Sequence, residues 1–257
     1  MDLNLKEKTF IICGATSGFG NAIAKQLIEE GSKIVAIARG EEKLKEFKDA
    51  FPGQVESITG DITLEKTQSQ LFKTIGDDFL AGILVNSAGP PAKTFAETTM
   101  EDWDEAYAKI LRWKVKLTQL FLPKFIKQQY GRFLYIESSA VKQPLENLVL
   151  STSLRLSVVG FVKTLSQEIP DQGVTFNILA PGYNYTPAVE RLIKKRAEND
   201  NISKKEARAQ IEANIPLKRT GNIEYLASLA AWLLSAHSEY MTGQIITIDG
   251  GVVRSTL

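Results

Sequence analysis

Short apolar runs rich in β-branched residues alternate with longer segments of helical period along almost the whole chain. Such alternation is typical of βαβ units, in which helices pack on a parallel sheet. The pattern predicts strands over 9–13, 33–38, 55–59, 82–86, 132–136, 174–179 and 244–248. It predicts helices near 18–30, 41–50, 64–76, 101–128, 147–169 and 222–235. We therefore expect an α/β fold with a doubly wound, seven-stranded parallel sheet and helices on both faces.

The chain is long enough for one substantial core, because 257 residues with 44% hydrophobic content need neither disulfides nor a metal to bury one. We expect a single domain over 1–257. One segment, 183–215, interrupts the alternation with a highly charged, helix-prone stretch. We interpret it as an insertion that covers a substrate site, and the alternative is a solvated helical surface without a role in binding.

Charge and cysteine content point to a soluble, cytoplasmic protein. The chain has a net charge of +1, no apolar run near the roughly 20 residues that span a bilayer and no secretory signal at its start. We therefore expect a small-molecule substrate, with neither nucleic acid nor membrane as a partner. Because Cys13 and His237 are the single cysteine and histidine, no transition-metal site is predicted, and Cys13 is expected in the core.

A glycine-rich turn joins the first predicted strand to the first predicted helix, which begins near Asn21. Glycines allow a tight turn and a close approach of the backbone to a phosphate, and the helix N-terminus offers free N–H groups. This order of strand, turn and helix predicts a phosphate site. Its candidate residues are Gly14, Thr16, Ser17, Gly18, Phe19 and Gly20.

The G-x-x-x-G-x-G spacing of this turn resembles that of the short-chain dehydrogenase/reductase family. The resemblance covers nearly the whole chain and is nearest to 3-oxoacyl-[acyl-carrier-protein] reductases. It rests further on Asp61, Asn86-Ser87-Ala88-Gly89, Pro181-Gly182, Thr186 and the ending from Thr242-Gly243-Gln244 through Asp249-Gly250-Gly251. It implies a Rossmann-type fold, NAD or NADP as cofactor, and a homotetramer or dimer packed through two long helices.

The end of the second predicted strand bears on the choice of cofactor. Ala38 stands where an NAD-binding chain would carry an acidic residue, and Arg39 follows it. A guanidinium binds a 2′-phosphate well, so NADP(H) is favoured over NAD(H). The alternative is that Arg39 is only a solvated residue at the strand end and that either NADP(H) or NAD(H) binds. The resemblance assigns further cofactor contacts to Asp61 at the adenine, to Asn86, Ala88 and Gly89 at the adenosine ribose, and to Thr186 at the nicotinamide amide. Ile62, Pro181 and Gly182 complete the expected cofactor-binding residues.

The family's chemistry is hydride transfer between a nicotinamide and a carbonyl or alcohol carbon, with a serine, a tyrosine, a lysine and an asparagine at the site. By position, Ser138 matches the serine, while Ser151, Arg155 and Ile110 stand at the tyrosine, lysine and asparagine places. Serine is a far weaker acid than tyrosine and has a shorter reach. Arg155 keeps its positive charge and can still bind ribose hydroxyls. We therefore expect cofactor binding with an altered proton donor.

Substitute acids near the expected nicotinamide site are Lys142 and Tyr183, with Glu137 and Tyr185 as weaker candidates. Alternation along the strand predicts that Glu137 points to the face opposite the site. Three functions stay open. The first is an NADP(H)-dependent oxidoreductase with a non-standard proton donor and an unknown substrate, and the second is an NADP(H)-binding sensor or assembly subunit without turnover. The third is a lyase or isomerase in which Arg155 and Ser138 polarise an oxyanion while the nucleotide plays a structural part.

Overall fold

A computed structural model describes residues 1–169 and 171–256 of the chain. It contains a sheet of seven parallel strands in the order β3-β2-β1-β4-β5-β6-β7. The strands are β1 (Thr9–Cys13), β2 (Lys33–Ala38), β3 (Val55–Thr59), β4 (Gly82–Val85), β5 (Gly131–Ile136), β6 (Val174–Pro181) and β7 (Ile245–Ile248). The predicted parallel α/β sheet is confirmed, with strand ends shifted by at most two residues.

Helices cover both faces of the sheet, as predicted. They are α1 (Gly18–Glu29), α2 (Glu41–Ala50), α3 (Glu65–Ile75), α4 (Met100–Tyr107), α5 (Trp113–Gln128), α6 (Val149–Glu168), α7 (Pro187–Asn199), α8 (Lys204–Ala213) and α9 (Ile223–Leu234). One apolar cluster packs α1, α2 and α9 on one face, and a second packs α3, α5 and α6 on the other. No helix in the described ranges is long and apolar enough to cross a membrane.

The segment 101–128, predicted as one helix, is interrupted. A single π-helical turn, Ala108–Arg112, separates α4 from α5. Such turns insert one extra residue into a helix and occur often at functional sites. Ile110 lies inside the turn and is buried in the second apolar cluster. The helical period of the sequence continues through this stretch, so it gave no sign of the interruption.

The strand order reverses between β1 and β4, which places a crevice at the carboxyl ends of these strands. The turns after β1, β2, β3, β4, β5 and β6 all open on this edge of the sheet, and they carry most of the predicted site residues. The segment 183–215 contains α7 and α8. These two helices pack together through a small apolar cluster of Ile193, Ala197, Ala207 and Ile211.

Candidate functional site

The turn between β1 and α1 brings the helix close to the end of the strand. Gly14 and Gly18 have positive φ of 74° and 54°, which favours glycine. A Cβ atom on Gly20 would lie 2.8 Å from the carbonyl carbon of Gly14 and 2.9 Å from the carbonyl oxygen of Cys13. Only glycine fits at position 20 without a shift of the backbone. The sequence prediction of a tight turn is confirmed.

The N-terminus of α1 lacks the partners that close many helix ends. Ser17 is its N-cap, with an extended backbone and no side-chain capping bond, and the first turn carries no acidic residue. The first N–H groups of a helix then stay available to an anion, where the helix dipole favours negative charge. Asn21 stabilises the turn from inside, since its Nδ2 donates to the carbonyl oxygen of Ala15 over 2.9 Å.

The ends of β2 and β3 lie side by side, with Ala38 paired to Thr59. Arg39 follows β2 and is exposed, so its guanidinium is free to meet a ligand in solvent. Asp61 follows β3, and its Oδ1 accepts hydrogen bonds from the N–H and the hydroxyl of Thr63 at 2.9 and 2.8 Å. The neighbouring side chain, Ile62, is buried in the second apolar cluster.

The turn after β4 contacts both the glycine-rich turn and α6. Nδ2 of Asn86 donates to the carbonyl oxygen of Cys13 over 3.4 Å. Ala88 and Gly89 are exposed. A Cβ atom on Gly89 would lie 3.2 Å from Nη2 of Arg155 and 4.0 Å from Oγ of Ser151. The structure therefore brings the predicted ribose turn and two predicted catalytic positions together.

Ser151 and Arg155 lie one turn apart on α6 and are both buried. Nε of Arg155 donates to Oγ of Ser151 over 3.2 Å. Nη1 of Arg155 donates to Oε2 of Glu137 over 2.7 Å and to the carbonyl oxygen of Ile136 over 3.5 Å. Because the serine oxygen accepts from Arg155, its own hydroxyl hydrogen is left to donate elsewhere.

Glu137 corrects one expectation. We predicted that it would face away from the site, yet its carboxylate is fully buried and binds both Arg155 and Lys114. The alternation was right, because Glu137 continues the face of Phe133 and Tyr135. The error lay in the choice of face, since α5 and α6 pack on the same side as these residues.

Lys114 was missed by the sequence analysis. Its side chain is 0% exposed, and its ammonium forms an ion pair with the other oxygen of Glu137. Burial lowers the pKa of Lys114, and the charge of Glu137 opposes that shift. A signal existed in the sequence: Lys114 lies four residues after Ile110 and three before Leu117, a helical spacing that puts it on their apolar face, where a lysine needs a buried partner.

Ser138 caps a short 3-10 turn, Ser139–Val141, directly after β5. Its Oγ accepts from the N–H of Ala140 over 3.2 Å, and the residue is half-buried. The hydroxyl hydrogen is therefore left for a ligand. Lys142 is half-buried at the end of the same turn, where its N–H donates to the carbonyl oxygen of Ser139.

The remaining predicted residues follow β6. The N–H of Gly182 donates to the carbonyl oxygen of Ile248, and the hydroxyl of Thr186 caps α7 by accepting from the N–H of Val189 over 3.3 Å. The ring of Tyr183 packs on the apolar cluster of α7 and α8 and lines a small cavity of about 120 Å³. Tyr185 is half-exposed and stacks with Arg208, whose guanidinium carbon lies 5.2 Å from the ring centre.

The sequence matches a known protein family along most of its length. The family profile described as Enoyl-(Acyl carrier protein) reductase matches residues 14–253. The chain belongs to the short-chain dehydrogenase/reductase family. This membership agrees with the parallel sheet, the glycine-rich turn at its reversal point and the polar residues after β5.

Relatives in the short-chain dehydrogenase/reductase family match this chain along almost its full length. NADPH-dependent reductase BacG of Bacillus subtilis is 26% identical over 258 residues, which cover 98% of this chain and 100% of BacG. The 3-oxoacyl-[acyl-carrier-protein] reductase FabG of Thermotoga maritima is 28% identical over 256 residues, which cover 98% and 100% of the two chains. The structure of L-sorbose reductase from Gluconobacter frateurii, complexed with NADPH and L-sorbose, has a TM-score of 0.93 at 24% identity. It covers 99% of this chain and 100% of its own, and it supports the fold.

Proposed function

We propose that this chain is an NADP(H)-dependent oxidoreductase that reduces a carbonyl, or oxidises an alcohol, by hydride transfer with a non-standard proton donor. The observation that carries the proposal is the position of Arg155 and Ser151 against the Gly89 turn. The glycine-rich turn and the uncapped N-terminus of α1 lie on the same edge of the sheet. A relative of similar length that is an NADPH-dependent reductase supports it.

The residues present fit a dinucleotide. The turn around Gly14 and Gly20 forms a cradle that a Cβ would fill, and the first N–H groups of α1 suit a pyrophosphate. The exposed guanidinium of Arg39 suits a 2′-phosphate. Oδ1 of Asp61 is held by Thr63, which leaves Oδ2 for an adenine amino group. The hydroxyl of Thr186 accepts from its own helix, so its hydrogen remains for the nicotinamide amide.

The nicotinamide supplies the hydride when it is bound. The chain's part is to bind and polarise the substrate oxygen, and Ser138 does so with its free hydroxyl hydrogen. Ser151 offers a second hydroxyl donor, and Arg155 holds a fixed positive charge beside it. Donors fixed in advance stabilise the negative charge that develops on the oxygen as a carbonyl is reduced.

Neither Ser151 nor Arg155 supplies the proton. A guanidinium stays protonated in proteins, and the pKa of a serine hydroxyl lies far above that of tyrosine. We assign the proton to Lys142 ahead of Tyr183. Lys142 ends the short turn that Ser138 begins, whereas the ring of Tyr183 is packed against α7 and α8.

The segment 183–215 is proposed to cover the substrate. Hydrogen bonds from Thr94 hold the pKa of Glu97 below its ordinary value, and the charges of Lys93 and Lys195 add to the effect. Lys195 belongs to α7 and Glu97 to the chain after β4. The charge of Lys195 thus acts at Glu97, on the chain between the Gly89 turn and α4, and this supports α7 as a cover over the crevice.

The first test is a fluorescence titration with NADPH and NADH, followed by a panel of 3-oxoacyl thioesters, ketones and sugars monitored by NADPH absorbance. We expect saturable NADPH binding and turnover of at least one carbonyl. Absence of NADPH binding would sink the proposal. Binding without turnover of any compound would favour a sensor or a lyase instead.

The second test is the double variant Ser151→Tyr with Arg155→Lys. If the site transfers hydride with a weak proton donor, these changes raise carbonyl reduction. The control is Ser157→Tyr, an exposed serine of the same helix, which should leave turnover unchanged. A fall in activity of the double variant would mean that Ser151 and Arg155 serve a different reaction.

A further inference from the structure

We propose that Lys114 and Glu137 are positioning residues, which hold the guanidinium of Arg155 so that its Nη2 stays open toward the Gly89 turn. The inference rests on the proposed function, in which Arg155, at the family's lysine place, binds the ribose on the nicotinamide side of NADPH. The adenosine ribose, which the resemblance assigns to Asn86, Ala88 and Gly89, is not the ligand of Arg155. Glu137 forms buried ion pairs with both Lys114 and Arg155, and the side chains of Glu137 and Lys114 are 0% exposed.

The geometry of the guanidinium explains how contacts at two of its nitrogens fix the direction of Nη2. The group is planar and rigid, so two fixed N–H groups determine the direction of the third nitrogen. Nε of Arg155 is fixed by Ser151, and Nη1 is fixed by Glu137 and the carbonyl oxygen of Ile136. Nη2 then faces Gly89, where an added Cβ would lie 3.2 Å away.

Lys114 limits how Glu137 can bind Arg155. Carboxylates often bind a guanidinium through both oxygens, in a fork-to-fork pair. In this protein Lys114 occupies Oε1 of Glu137, so only Oε2 binds Arg155. If Lys114 is lost, Oε1 becomes an unpaired buried acceptor and can turn to take Nη2 of Arg155. The hydrogen bond from Nη2 to the nicotinamide-side ribose is then lost.

These residues orient Arg155 and do not conduct a proton to Ser151. A path from Lys114 through Glu137 would have to cross Arg155, and a guanidinium does not give up its proton in a protein. The consequence of a change at Lys114 is therefore a change in binding geometry.

The test measures the Kd of NADPH for the wild type, Lys114→Met, Arg155→Met and the double variant, together with the Tm of each. Methionine keeps the apolar stem of the Lys114 side chain without its charge and leaves Glu137 and Arg155 as a neutral buried pair. We expect Lys114→Met to weaken NADPH binding about tenfold, the loss of one charge-assisted hydrogen bond, without lowering Tm. In the Arg155→Met background, the same change should have no further effect on Kd.

A nucleotide without the nicotinamide half provides the control. The Kd of 2′,5′-ADP, which reaches only the adenosine side, should be the same for the wild type and Lys114→Met. The inference is overturned if Lys114→Met weakens 2′,5′-ADP as much as NADPH, if its effect on NADPH persists in the Arg155→Met background, or if NADPH binding does not change. Failure of the wild type to bind NADPH would instead remove the proposed function, and this inference with it.

Discussion

Nη1 of Arg155 lies 2.7 Å from Oε2 of Glu137, and Lys114 binds the other oxygen of the same carboxylate. The three side chains join the end of β5 to α5 and α6 beneath the candidate site. Desolvation of buried charges is costly, and the two cations are compensated only while Glu137, their common anion, is present. The cluster therefore has two effects, one on stability and one on the direction of the Arg155 guanidinium. Variants of Glu137 test the first effect, and Lys114→Met tests the second.

The change Glu137→Gln is predicted to lower the free energy of unfolding by about 3–5 kcal/mol, because it leaves two buried cations without their common anion. The triple change Lys114→Met, Glu137→Leu and Arg155→Met should recover most of that loss, since no charge is then buried. Urea denaturation measures both. The control is Glu7→Gln, which breaks an exposed pair of the same 2.7 Å length with Lys33 and should change stability little. Equal effects of Glu7→Gln and Glu137→Gln would contradict the argument.

The glycine-rich turn gives a second prediction. The change Gly20→Ala places a Cβ within 3 Å of the backbone of Cys13 and Gly14, which must then move. We expect a loss of about 2 kcal/mol or more in stability and a clear fall in NADPH affinity. The control is Gly160→Ala in α6, where a Cβ meets no atom within 4 Å and alanine should stabilise the helix by about 0.5–1 kcal/mol. Similar NADPH affinity in both variants would show that the turn tolerates a side chain.

Arg39 gives a third prediction, on the choice of cofactor. Arg39→Ala removes the exposed guanidinium after β2, so the Kd of NADPH should rise about tenfold or more, while that of NADH stays within about twofold. Stopped-flow or equilibrium fluorescence measures both constants. Lys43→Ala, which removes an exposed cation from the neighbouring α2, serves as the control for a general loss of positive charge. A parallel loss of NADPH and NADH in Arg39→Ala would contradict a contact with the 2′-phosphate.

The sequence could predict the sheet and the glycine-rich turn because these depend on local patterns. A strand, a turn and a helix within residues 9–29 follow from apolar period and glycine spacing alone. The pairing of Lys114 with Glu137 could not be read in this way, since it joins residues 23 positions apart through the packing of α5 on β5. Likewise, the π-turn at 108–112 depends on how α4 and α5 pack, and its sequence resembles that of an ordinary helix.

Cys13 provides a prediction on pH. Its thiol is completely buried at the end of β1, and burial raises its pKa from 9.0 to about 12. The unfolded thiol loses its proton near pH 9 and the folded one near pH 12, so the unfolded state binds fewer protons in between. The contribution of Cys13 to stability is complete below pH 9 and is lost as pH rises toward 12. The slope of that loss is at most about 1.4 kcal/mol per pH unit.

The measurement is the free energy of unfolding of the wild type and of Cys13→Ala in urea between pH 8 and pH 10.5. Lysine and tyrosine titration is common to both proteins, so the difference in slope reports the thiol. The wild type should lose stability more steeply above pH 9, because only its unfolded state gains a thiolate. Parallel slopes would contradict the burial of the thiol, and so would rapid labelling of native Cys13 by a thiol reagent at pH 8.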